Sequence, residues 1–164
     1  MYTLLSPLMN IKNILFVCLG NTARSPAAEY LARHYATKYD LNLKFQSAGF
    51  INAFSYMQSE SREYLDSKGI SHDDFRPQLI NRKLLENQDL ILTMENTHKQ
   101  DILNNYGNIP DIQNKVFTLK EFNEEKNNID IIDPYYTSKK TYQKVLETID
   151  ENIEKAIKKI AKID

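Results

Sequence analysis

Cys18 is the only cysteine in the 164-residue chain, and its neighbours are of the kind that let a thiol do chemistry. Ahead of it, residues 11–17 read Ile-Lys-Asn-Ile-Leu-Phe-Val and end in a continuous apolar run, as a strand buried on both faces does. Behind it, Leu19-Gly20-Asn21-Thr22-Ala23-Arg24 makes a short loop. Ser25-Pro26-Ala27-Ala28-Glu29 then reads as a helix start, with Ser25 as the cap, Pro26 at the first helical position and Glu29 in the opening turn. The N–H groups of a loop between strand and helix turn inward and cradle an anion, helped by the helix dipole. Arg24 adds a fork of donors that matches two phosphate oxygens. Such surroundings favour a thiolate, the nucleophilic form of cysteine. The chemistry to expect is attack by Cys18 on a bound phosphate. A lone cysteine after a strand is more often a packed core thiol. The company of Gly20, Asn21, Arg24, Ser25 and Pro26 argues against that here.

The rest of the chain must hold this loop in place. Residues 41–47 read as a second strand closed by Ala48-Gly49, and residues 59–68 as a helix ended by Gly69. Residues 89–94 read as a third buried strand, 97–106 as a helix stopped by Gly107, and 115–119 as a short fourth strand. Val145, Ile149, Ile153, Ile157 and Ile160 recur at spacings of three and four, so residues 141–163 form one long amphipathic helix. Strands alternating with helices predict an α/β fold, a three-layer sandwich whose central four-stranded parallel sheet is flanked by helices on both faces. Ligands in such sheets bind beyond the carboxyl ends of the strands, where Cys18 lies. Residues 1–10 read as a loose N-terminal extension and residues 11–164 as one domain.

Composition narrows the partners. Lys plus Arg is 21 against 22 Asp plus Glu, a net charge of -1, so nothing chain-wide attracts nucleic acid or acidic membranes. A single cysteine rules out an internal disulfide or a multi-cysteine zinc site, and it fits a reducing compartment, the cytoplasm. No apolar run reaches the roughly 18 residues of a membrane span.

The stretch Cys18-Leu-Gly-Asn-Thr-Ala-Arg-Ser-Pro26 resembles the phosphate loop of the low-molecular-weight protein tyrosine phosphatases, C-x-G-N-x-C-R-S-P. Ser47-Ala48-Gly49, Leu90–Met94 followed by His98, Val116–Phe122, and Asp133-Pro134-Tyr135-Tyr136 look like later segments of that family, in the same order. The resemblance implies hydrolysis of phosphotyrosine, an aryl phosphate, in phosphorylated proteins or peptides. Inorganic phosphate is the product, a phosphocysteine the intermediate, and no metal or other cofactor takes part. It implies Cys18, Arg24 and Asp133 as the catalytic set, with Asp133 as acid and then base. Residues 19–25 (Leu19, Gly20, Asn21, Thr22, Ala23, Arg24 and Ser25) would bind the phosphate. Ser25 would donate to the Cys18 sulfur, and Asn21 would hold the loop through a left-handed backbone. Leu19, Phe54, Tyr135 and Tyr136 would wall the pocket.

Several positions depart from the family pattern. Ala23 stands where the family has a second loop cysteine. Ala53 aligns with a Trp or Tyr, with Phe54 one step on. The loop-bracing histidine aligns with Phe75, which leaves His72 a surface residue, and His34 and His98 read as solvated helix positions. Thr22 occupies a place where tyrosine-specific members often carry Ile and related protein arginine phosphatases carry Thr, so phosphoarginine is the alternative substrate. Arsenate reductase, which uses the same fold and first cysteine, ranks below it as an alternative: its relay to further cysteines has none here, which leaves only a version linked to glutaredoxin or mycothiol. A monomer or weak dimer is expected.

Overall fold

The computed structural model describes residues 11–164; the expected N-terminal extension lies outside the described residues. The elements run β1 (Asn13–Cys18), α1 (Arg24–Lys38), β2 (Lys44–Gly49), α2 (Ser59–Ser67), α3 (Arg82–Glu86), β3 (Leu90–Thr93), α4 (Asn96–Tyr106), a 3-10 turn (Ile112–Asn114), β4 (Val116–Thr118), α5 (Leu119–Phe122) and α6 (Lys139–Ala161). The four strands form one sheet in the order β2-β1-β3-β4, all parallel. The chain leaves β1 towards β2 on one side and returns to β3 on the other, so the strand order reverses at β1. The crevice beyond the carboxyl ends of β1 and β3 is therefore the ligand-binding switch point of the sheet.

Alternation along β1 divides the core between two faces. Ile14, Phe16 and Cys18 belong to one cluster with Ala27 and Leu31 of α1, Leu65 of α2 and Ile149, Ile153 and Ile157 of α6. Leu15 and Val17 belong to the other, with Leu85 of α3, Ile102 of α4, Ile109 and Ile112. Burying each of these aliphatic side chains contributes about 1.5–3 kcal/mol. The sandwich of helices, sheet and helices is the expected one.

Element boundaries differ where local pattern and pairing part company. β2 begins at Lys44, whose N–H makes a 2.8 Å bond to the Lys12 carbonyl, three residues later than expected. Leu41 and Leu43 keep the period-two pattern and pack on the core, but outside the ladder. Leu119, expected at the end of β4, instead opens α5, where Thr118 and Glu121 form a reciprocal capping box. The short helix α3 was not expected; Asn81 caps it by accepting from the Leu84 N–H at 2.9 Å. Its five residues are too few to show a helical period. Gly69 ends α2 with φ +70°, as a glycine after a helix should.

A buried carboxylate ties α1, α2 and α6 together. Asp150 accepts hydrogen bonds from the Tyr35 and Tyr64 hydroxyls and pairs with Lys68 at 3.0 Å. Burial alone would raise its carboxyl, but the two hydroxyls and the Lys68 ammonium outweigh that and hold it below the usual range. A carboxyl depressed on folding stabilises the fold above its unfolded value of about 3.9, and that stability is lost as pH falls through the lower folded value. Asp150→Asn, with one acceptor for two hydroxyls, is expected to lower the unfolding free energy at pH 7 by about 1–3 kcal/mol in urea titrations. The gap between the two proteins should narrow below about pH 4. A constant gap down to pH 3 would remove the charge from this explanation.

Candidate active site

The loop after β1 closes tightly against the strand beside it. Cys18 ends β1 opposite Gly49 of β2. A side-chain carbon at Gly49 would lie 2.8 Å from both the Leu19 carbonyl and the Asn21 nitrogen, so only glycine lets the loop pass. The Phe50 N–H then bonds the Leu19 carbonyl at 2.7 Å. Asn21 takes φ 53°, the left-handed turn that asparagine tolerates.

Beneath the loop runs a polar network whose side chains Asn21, Ser25, Ser47 and Glu29 are buried. The Asn21 amide donates to Ser25 Oγ and to Ser47 Oγ, each at 2.9 Å, and its carbonyl accepts from the Gln78 N–H at 2.9 Å. Ser47 Oγ donates to Glu29 at 2.6 Å. Burial pushes the Glu29 carboxyl up, against the pull of Ser47 and Arg33. Ser25 Oγ, having accepted from Asn21, has its own hydrogen free for Cys18 Sγ, 3.0 Å away.

Ser25 is thus not a helix cap. Helix α1 starts at Arg24, Ala23 is its capping position, and no side chain caps it. The Ser25 hydroxyl is committed to the sulfur instead. Glu29 correspondingly lies beyond the first turn of α1.

Arg24 is 2% exposed, and its two ends face different ways. Nη1 donates to the Glu95 carboxylate and, at 2.6 Å, to the Ile131 carbonyl. Nη2 lies 3.9 Å from Asp133 Oδ2. Glu95, at the carboxyl end of β3, was missed in the sequence; its signal is a carboxylate at the switch point, facing an arginine that must be held. The Ile131 contact fastens the segment that carries Asp133. Asp133 itself is partly exposed, and its Oδ1 accepts from the Tyr135 N–H at 3.1 Å.

These residues surround a cavity of about 210 Å³ lined by Cys18, Leu19, Gly20, Thr22, Ala23, Arg24, Ile51, Ala53, Phe54, Gln58, Asp133 and Tyr135. Asn21 and Ser25 lie under the loop, both fully buried, with side chains turned away from the cavity into the network. Tyr136, expected at the mouth, is not among the lining residues. It is 93% exposed, its ring tilted at 57° to that of Tyr135 with centres 4.1 Å apart, and it borders a neighbouring groove. Phe54 and Tyr135 meet at 5.6 Å between ring centres and wall the cavity on its outer side. Ile51, Ala53 and Gln58 also line it and were not expected to.

The histidines divide. His34 is exposed, and His72 is half-buried with a 2.8 Å contact to Asp66. His98, expected in solvent, is buried against Phe50, and its Nε2 is 3.8 Å from Glu95. Burial and the nearby Arg24 lower its pKa, which leaves it uncharged at neutral pH. It therefore does not compete with Arg24 for Glu95. Phe75 is buried edge-on against Tyr30, so at that position no side chain hydrogen-bonds the loop.

A nucleophile on a loop of amides, a fixed guanidinium and a carboxylate on the opposite wall together can transfer a phosphoryl group. Comparison with known proteins agrees. Residues 13–163 match the family model described as low molecular weight phosphotyrosine protein phosphatase. The protein-arginine-phosphatase of Bacillus subtilis is 34% identical over 151 residues, 92% of this chain and 97% of its own. The low molecular weight protein-tyrosine-phosphatase PtpB of Staphylococcus aureus is 34% identical over 137 residues, 83% of this chain and 90% of its own. Among solved structures, a mutant of YwlE from Bacillus subtilis superposes with a TM-score of 0.83 at 32% identity, covering 92% of this chain and 99% of that one. A low molecular weight protein tyrosine phosphatase from T. tengcongensis superposes at 0.81 with 33% identity, covering 90% and 99%. With the family model matched over residues 13–163 and these relatives covered nearly end to end, the chain belongs to the low molecular weight phosphotyrosine protein phosphatases.

Proposed function

We propose that Cys18 attacks the phosphorus of phosphotyrosine in a protein or peptide, forming an S–P bond as the bond to the phenolic oxygen breaks. Arg24 and the loop amides carry the charge on the equatorial oxygens. Asp133 gives its proton to the leaving oxygen. In the second half, the Asp133 carboxylate takes a proton from water, whose oxygen attacks phosphorus, and the S–P bond breaks to release inorganic phosphate and the thiolate. The phosphate charge is met by Arg24 and amides, and the scheme needs no metal. The observation that carries this reading is the single cavity bordered by Cys18, Arg24 and Asp133, with Phe54 and Tyr135 as an aromatic wall fit for an aryl group. The working unit is residues 11–164 as one domain, a monomer or weak dimer in a reducing cytoplasm. Among the described residues no helix is long and apolar enough to cross a membrane.

A second substrate, phosphoarginine, is favoured by the Thr22 hydroxyl on the cavity wall and by the similarity to a protein-arginine-phosphatase. Side-by-side hydrolysis of phosphotyrosine, phosphoarginine and phosphoserine peptides in EDTA tests the assignment. Phosphotyrosine should be cleaved and phosphoserine should not, since serine does not reach the aromatic wall. Loss of all turnover in EDTA, or preference for phosphoserine, would reject it.

A further inference from the structure

Gln58 stands at the capping position of α2, yet its side chain caps nothing. The amide lies between Thr22 and Tyr142, with Nε2 3.4 Å from Thr22 Oγ1 and Oε1 2.8 Å from the Tyr142 hydroxyl. Its backbone N–H bonds the Thr22 carbonyl at 2.8 Å. The Tyr142 hydroxyl is also 3.0 Å from Ser61 Oγ, which is in turn 3.0 Å from the Ala23 carbonyl. Thr22, Ser61 and Tyr142 are each no more than 2% exposed, so their hydrogens go to partners within this chain of contacts.

Those hydrogens can be counted. The Ala23 carbonyl only accepts, so Ser61 donates to it. Ser61 then has none for Tyr142, and Tyr142 donates to Ser61. Tyr142 has no second hydrogen, so Gln58 donates to it with its NH2 group. The Gln58 carbonyl then faces Thr22, and Thr22 donates. With Nε2 towards Thr22 and Oε1 towards Tyr142, one of these four contacts is left as two oxygens with no hydrogen between them, so the count assigns the amide turned by half a turn, its N and O exchanged.

We propose that Gln58, oriented by Tyr142 and Ser61, is a specificity-determining positioning residue: it takes the Thr22 hydroxyl hydrogen and turns the Thr22 lone pairs to the cavity. The site then accepts an N–H beside the transferred phosphoryl group. An N-phosphorylated guanidinium, as in phosphoarginine, carries that N–H; the bridging oxygen and ring of phosphotyrosine do not. The role rests on the phosphatase reading of the same cavity and refines what leaving group that cavity takes.

The test is kcat/KM for phosphoarginine, phosphotyrosine and para-nitrophenyl phosphate in the full chain and its variants. Gln58→Met should lower the phosphoarginine-to-phosphotyrosine ratio about five- to tenfold, the size of one neutral hydrogen bond. The ratio of the two aryl phosphates should not move. Tyr142→Phe, which keeps the buried ring but frees the amide, should shift the ratio the same way. In a Thr22→Val background, Gln58→Met should add nothing, as a double-mutant cycle through one shared contact requires. An unaltered ratio in either single variant, or an equal fall in the Thr22→Val background, overturns the role. Phosphotyrosine turnover with no phosphoarginine turnover in the unsubstituted chain overturns it too and leaves the phosphatase reading standing. Absence of Cys18-dependent turnover of all three substrates sinks both.

Discussion

Cys18→Ser is expected to abolish hydrolysis of para-nitrophenyl phosphate, by on the order of 10⁴-fold or more. The substitution changes one atom at the end of β1 and leaves the rest of the site in place. Ser25 keeps a polar partner, Asn21 keeps its hydrogen bonds to Ser25 and Ser47, and Arg24 stays fixed by Glu95 and Ile131. What is lost is the sulfur nucleophile, since a serine hydroxyl attacks phosphorus poorly. The variant should therefore still bind tungstate or vanadate, and its unfolding midpoint in urea should move little. That pairing separates loss of chemistry from loss of fold. If Cys18→Ser turns over at the wild-type rate, another group is the nucleophile and the mechanism is wrong.

The contiguous part of this site was legible in the sequence because strand, loop and helix start follow one another within residues 11–29. An apolar run, a glycine-bearing turn and an arginine are local signals, and the switch point of a parallel sheet says where they must sit. The partners of Arg24 were not legible. Glu95 and Ile131 are 71 and 107 residues away, and only the order of strands brings them to the guanidinium. His98 shows the same limit. Its helix is mostly polar, and nothing in its own sequence says which side faces the sheet. Packing over Phe50 decides that. Ser25 fails differently: the residue type suits a cap, but the sulfur 3.0 Å away has the stronger claim on its hydroxyl. Gln58 carried no signal at all, since its importance lies in contacts to Thr22 and Tyr142 that α2 creates only when it packs against the loop.

Asp133→Ala is expected to lower kcat for phosphotyrosine by about 10²–10⁴-fold while inhibition by phosphate, vanadate or tungstate changes little. The geometry separates the two effects. In the proposed mechanism Arg24 holds the anion, and its fixed end is bound to Glu95 and the Ile131 carbonyl, neither of which the substitution touches. Asp133 meets the other end only at 3.9 Å, too far for a hydrogen bond that binding would depend on. Its partly exposed carboxylate sits on the cavity wall beside Tyr135, where the leaving group must pass. The loss should follow the leaving group. Nitrophenolate departs with little need of a proton, so the first half-reaction of para-nitrophenyl phosphate should suffer less than that of phosphotyrosine. Hydrolysis of the phosphocysteine needs a base whichever substrate formed it. A rapid burst of nitrophenol followed by slow turnover is therefore the expected trace for Asp133→Ala. Equal losses for both substrates with no burst would limit Asp133 to placing the loop, and unchanged kcat would remove it from the reaction.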